Sequence, residues 1–93
     1  MAQYTVRVEL HYADNDDYET LHSEMENAGF SRLITSNDGI TYHLPTAEYN
    51  RSGSLTPEQV LASAKSAAAQ TRRKASILVT KSESRKWLNL EAA

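Results

Sequence analysis

Tyr4, Val6, Val8 and Leu10 alternate with Thr5, Arg7, Glu9 and His11, the period-two pattern of a β-strand with one buried face and one open face. Ala13 to Asp17 then supplies N-cap candidates and negative charge, both of which favour a helix N-terminus. In the segment that follows, Tyr18, Leu21, Met25 and Ala28 fall at spacings of three, four and three, one apolar stripe on a helix. Gly29 is the expected stop, since glycine enters the left-handed conformation without strain. Phe30 is expected to anchor the chain as it turns back.

Ser31 to Thr35 reads as a second strand, and Ser36-Asn37-Asp38-Gly39 offers the positive-φ residues of a tight hairpin. The stretch from Gly29 to Tyr49 is therefore expected to form the middle hairpin of a small sheet. Beyond the turn two continuations compete. Ile40 to Leu44 can pair at once, or the main third strand can resume after Pro45, over Ala47 to Ser52; the missing amide donor of Pro45 favours the second.

Thr56-Pro57-Glu58-Gln59 is a helix start with N-cap, first-position proline and the partner of a capping box. Val60, Leu61, Ala64, Ala67, Ala68 and Thr71 form its expected inward stripe, and Thr71-Arg72-Arg73-Lys74 ends it with cations suited to a C-terminus. Ala75 to Thr80 is a β-branched, mostly apolar fourth strand. Lys81 to Lys86 is a charged connection, and Trp87 to Leu90 a short apolar tail expected to pack back on the domain or on a partner. The order βαββαβ predicts an α+β, ferredoxin-like sandwich, a four-stranded antiparallel sheet with two helices on one face. The other sheet face must be polar or covered, and a homodimer is the expected way to cover it.

Ninety-three residues make one domain with a single core. The formal net charge of -2 provides no global basic field, so nucleic-acid binding requires a local patch. With no cysteine, disulfides, thiolate metal sites and a cysteine nucleophile are excluded, in keeping with a reducing, cytoplasmic setting. No signal segment or membrane-length apolar run is expected. The chain has no Gly-rich phosphate loop, HExxH, GxSxG or DxDxDG, which removes the main support for kinase, P-loop, zinc-protease and serine-hydrolase chemistry.

Arg7, Glu9 and His11 share the open face of the first strand, with Tyr12, Asp14, Asp16 and Asp17 at its end. Such a cluster can hold a divalent cation such as Mg²⁺ or perform acid-base work on a phosphodiester. A solvated face followed by helix-capping acids explains the same residues. His11, His22 and His43 lack metal-ligand spacing; His22 borders the helix stripe and reads as structural, whereas His11 and His43 are candidate acids or bases. Arg72, Arg73 and Lys74, with Lys81, Arg85 and Lys86, contrast with Glu9 to Glu26, which holds no Lys or Arg. This asymmetry suits phosphate steering, although helix-end preference explains part of it. Trp87 either stacks a base or caps the core.

Met25 to Ser31, followed by a hydrophobic strand, Asp38-Gly39-Ile40, Leu44-Pro45, Glu48-Tyr49 and Ser54-Leu55 opening a helix, resembles the GhoS family, the antitoxin endoribonucleases of type V toxin-antitoxin systems. The resemblance runs from Tyr4 to about Val79. It implies a ferredoxin-like fold similar to the small CRISPR-associated nucleases, and cleavage of a toxin messenger RNA. In those nucleases an aspartate ends the first strand; here His11 stands there, with Glu9 and Asp14 as the nearest carboxylates. On this resemblance His11 acts as acid or base and Asp14 assists it or holds a cation. His43 and Arg32 meet phosphate, and Arg72, Arg73 and Lys74 steer RNA. The expected function is that of a small RNA-cleaving regulatory protein; the alternatives are a non-catalytic, dimeric module binding a protein or nucleic acid, and a small-molecule-binding dimer that needs an apolar pocket.

Overall fold

A computed structural model describes residues 2–93. In chain order the elements are β1 (Ala2–Leu10), α1 (Asn15–Asn27), β2 (Leu33–Thr35), β3 (Thr41–His43), β4 (Glu48–Gly53), α2 (Pro57–Ala69) and β5 (Ala75–Ser82). The main sheet has three antiparallel strands in the order β4-β1-β5. β1 takes the centre because its alternation is the cleanest in the chain: Tyr4, Val6 and Val8 are fully buried, while Arg7 and Glu9 are exposed. Val6 lies between Tyr49 and Val79, so the register carries the apolar row across all three strands onto one face.

That face meets Leu21 and Met25 of α1 and Val60, Ala64, Ala67 and Ala68 of α2 in one hydrophobic cluster. α1 begins with a capping box in which the Asp14 carboxylate accepts from the Asp17 amide and the Asp17 carboxylate accepts from the Asp14 amide. It ends at Ala28, after which Gly29 takes φ +93°, the conformation that favours glycine there. Thr56 and Gln59 form the same reciprocal box on α2, with Pro57 at its start.

Leu61 departs from the expected inward stripe and is 43 % exposed. The buried positions of α2 are Val60, Ala64, Ala67 and Ala68, a stripe spaced by four, three and one, and Leu61, one position past Val60, lies on its flank. The cations beyond α2 also lie outside its last turn, because the helix ends at Ala69. Thr71 folds back with its hydroxyl donating to the Ala68 carbonyl at 2.7 Å, and Arg72 reverses the chain at φ +61°.

The middle of the chain differs most from the expected layout. Ser31 makes one bridge to Asn50, with both backbone bonds formed at 2.9 and 2.7 Å. The chain then bends at Arg32, and β2 leaves the main sheet to pair with β3 as a separate ribbon. Both continuations past the turn therefore occur: Thr41 to His43 pairs at once, and β4 pairs with β1 after Pro45. Pro45 has no amide to extend the ribbon into the sheet, and the reversal at Ala47, φ +72°, restarts the ladder with the Val8 amide donating to the Ala47 carbonyl at 2.9 Å.

The tail returns to this ribbon. The His43 amide donates to the Glu91 carbonyl and the Ala93 amide to the Thr41 carbonyl, each at 2.9 Å. Trp87 meets Tyr42 edge to face, 5.6 Å between ring centres. Leu88 is left 83 % exposed. Among the described residues no helix is long and apolar enough to cross a membrane.

Candidate functional site

The residues singled out from sequence fall into two groups. His11, Asp14, Arg72, Arg73 and Lys74 gather where β1 enters α1 and the loop after α2 enters β5. There the His11 amide donates to the Lys74 carbonyl at 2.8 Å, and His11 Nε2 lies 2.8 Å from the Ser76 hydroxyl. Asp14 is committed to capping α1. Arg73 Nε lies 2.8 Å from Asp17 Oδ2, the one ion pair among the described residues. The Asp14 amide, and after it Arg73, hold the Asp17 carboxyl below its usual range. Two of the five residues thus have structural partners that account for their charge, and among the described residues no group of three or more His, Asp or Glu is placed to hold a metal ion.

His43 and Arg32 belong to the second group. His43 lies on the ribbon, paired with Leu33, and the Arg32 carbonyl accepts from the Leu44 amide at 2.7 Å. Arg32 Nε is buried without a hydrogen-bond partner among the described residues. Its charge is felt by the polar pair inside the core, His22 and Tyr49, whose Nδ1 and hydroxyl lie 2.6 Å apart. Burial, and then Arg32, hold the His22 imidazole below its ordinary pKa, while Glu19 and Glu26 oppose this. Burial pushes the Tyr49 phenol well above its ordinary value. A neutral imidazole and a neutral phenol satisfy each other inside an apolar cluster, so His22 and Tyr49 form a structural pair.

A concave polar region lies on the open sheet face, where the ribbon and tail overhang β1 and β4. An open groove of about 510 Å³ runs between the turn of the ribbon and residues 82–87, lined by Gln3, Asn37, Tyr42, Ser84, Lys86 and Trp87 among others. It continues across Asn50, Ser52 and Ser31 beneath β2, and Gln3, Asn37 and Arg85 line both stretches. Register explains the composition: Gln3 stands opposite Ser52, and Thr5 opposite Asn50 and Thr80, all on the face that β1 turns away from the core.

Arg85 ties this floor together. Its Nη1 donates to Asn50 Oδ1 at 2.8 Å and to Thr5 Oγ1 at 3.3 Å, and its Nη2 reaches Gln3 Oε1 at 3.5 Å. The Ser52 hydroxyl donates to the same Gln3 oxygen at 2.7 Å. Every acceptor is neutral, and partial burial alone holds the guanidinium pKa below its usual value. A guanidinium with only neutral partners keeps its whole charge available, and such an arrangement is suited to an anion.

Sequence reading placed Arg85 in the basic cluster but missed Gln3, Asn50 and Ser52 as its companions. Alternation put Thr5 on the open face. Nothing local placed Asn50 opposite it, since that depends on the β1–β4 register. No family model and no curated protein matches this chain.

Proposed function

We propose that this protein is a ferredoxin-like regulatory module that binds single-stranded RNA in the groove between its open sheet face and the β2–β3 ribbon. The strand order β4-β1-β5 with Ser31 bridged to β4 supports the fold part of this reading: it is the order of a split βαβ sandwich whose outer strand has shrunk to one residue. The RNA part rests on the resemblance and on one observation that carries it. Among the described residues Arg85 has no carboxylate partner and lies among amides and hydroxyls, on the groove that the Tyr42–Trp87 aromatic pair also lines. A cation with hydrogen-bonding amides and half-buried aromatic rings on the same groove is equipment suited to single-strand recognition.

Binding is favoured over cleavage. An endoribonuclease reading needs His11, Asp14 and His43 around one phosphodiester. Asp14 is engaged in a cap, and His43 lies on the ribbon, held by the tail. Fluorescence anisotropy with labelled single-stranded RNAs over a range of salt tests the reading. The expected result is binding that weakens with salt, at about 0.7 log units of affinity per log unit of salt for each phosphate neutralised, and that Arg85→Gln weakens by about tenfold or more. A flat salt response, or an Arg85→Gln variant with full affinity, refutes it. Intact RNA recovered after incubation with Mg²⁺ and with EDTA is the accompanying expectation.

A further inference from the structure

The fold leaves the hydrogen-bonding capacity of Arg85 partly unused. A guanidinium carries five N–H donors in a fixed planar fork. The two on Nη1 are taken by Thr5 and Asn50, and one on Nη2 reaches Gln3 at the limit of hydrogen-bond distance. Among the described residues Nε has no hydrogen-bond partner and Nη2 has only Gln3. Nε and Nη2 together form one edge of the fork, an edge that can meet two oxygens of a phosphate or carboxylate side on. Thr5 and Asn50 hold Nη1, and Gln3 holds Nη2 at the limit of hydrogen-bond distance, so the guanidinium is oriented over the sheet before any ligand arrives.

The surroundings narrow the ligand. Asn37 and Ser84 line the groove with Arg85, and Trp87 and Tyr42 line it as an edge-to-face ring pair. The acids on this groove are Asp38 and Glu83. Asp38 is engaged by the Ser36 hydroxyl in the turn of the ribbon, Glu83 is exposed, and neither reaches Arg85 as an ion pair. Lys86 adds a second cation. The stretch beside Arg85, about 510 Å³, has room for one small ligand, and the groove continues beneath β2. An oriented guanidinium edge, amides for a heterocycle and a ring pair together match one nucleotide better than a bare carboxylate.

We propose that Arg85 is the seat for the phosphate of a single nucleotide, whose base lies toward the Tyr42–Trp87 pair. This rests on the RNA reading of the groove and adds which residue takes the phosphate and how much ligand the site holds. No bond is made or broken at this seat; phosphate exchanges water for the free guanidinium edge.

The test is calorimetric titration of the full chain with the four nucleoside 5′-monophosphates, the matching nucleosides, inorganic phosphate and acetate, alongside anisotropy with a short RNA. At least one nucleotide is expected to bind ten or more times tighter than its nucleoside, and acetate more weakly than either. Arg85→Gln, which can still hydrogen-bond Asn50, is expected to abolish the nucleotide-to-nucleoside ratio. Arg85→Lys, which keeps the charge without the fork, is expected to lose most of it. Trp87→Ala is expected to weaken nucleotide and nucleoside by a similar factor.

Thermal melts establish that each variant is folded, and Arg85→Lys carries the test if the glutamine variant is not. Equal binding of nucleotide and nucleoside, equal binding of acetate, or a ratio unchanged in the folded Arg85 variants overturns the proposal. Nucleotide binding without RNA binding upholds the seat while the RNA reading fails. RNA binding that mononucleotides do not compete away upholds the RNA reading while the seat fails.

Discussion

His22 shows how burial converts a titratable side chain into a structural one. It is only 7 % exposed, hydrogen-bonded to Tyr49, with Tyr18 as a second ring neighbour and the charges of Arg32, Glu19 and Glu26 around it. Its folded-state pKa lies below the ordinary value, so the unfolded chain takes up the proton first. The stabilising contribution is complete above the unfolded value near 6.5 and is lost as pH falls through the lower folded value. Urea unfolding at pH 7.5 and at successive steps towards pH 5 is expected to show falling stability, and His22→Gln a smaller fall. Tyr49→Phe leaves the imidazole Nδ1 without its partner and is expected to cost about 1–3 kcal/mol at neutral pH.

Ala47 is a residue whose backbone works against its side chain. It holds φ +72°, where an L-residue is disfavoured by about 1–2 kcal/mol, and glycine is not. The extra freedom of glycine in the unfolded chain offsets part of this. Ala47→Gly is accordingly expected to raise stability by about 0.5–1 kcal/mol in denaturant melts.

At the scale of elements, the helix starts were legible because capping is local: a side chain three residues from an amide determines whether it is satisfied. The box at Thr56 and Gln59 was readable from spacing alone. Helix capping was one of two explanations of the acidic run, the other being chemistry, and the structure pairs Asp14 and Asp17 in a reciprocal box. The two explanations separate by substitution. Asp14→Ala is expected to lower stability by about 1 kcal/mol, and Asp14→Ser, which still caps, to restore most of it; RNA affinity is expected to stay unchanged in both.

The ribbon depends on distant support. A two-stranded hairpin is marginal by itself, and β2–β3 is held by Ser31 at its root and by residues 91–93 along β3. Removing the Trp87 ring from Tyr42 in Trp87→Ala is expected to loosen the tail. In hydrogen exchange the amides of His43 and Ala93 are then expected to exchange faster, roughly tenfold or more, while those of central β1 keep their protection.

For the whole molecule, the groove exists because three separate parts of the chain meet over one sheet face: β1 and β4 as floor, the ribbon as overhang and residues 82–87 as wall. Its guanidinium comes from the connection after β5 and its acceptors from the two strands. The sequence by itself determined most of the elements and which positions could form the core: the alternation of β1, the stripes and caps of both helices and the turn at Ser36 to Gly39 all depend on neighbours within a few residues. Only the tertiary structure decided that the chain bends at Arg32, that β2 and β3 leave the main sheet, that Leu61 faces solvent, and that Arg85 comes to rest against Gln3, Thr5 and Asn50. The physical reason is one of distance along the chain. Periodicity and capping act over one or two turns, whereas strand register and the docking of a tail are settled by groups up to 82 positions apart, as in the contact of Arg85 with Gln3, and that pairing is selected by the energy of the assembled sheet.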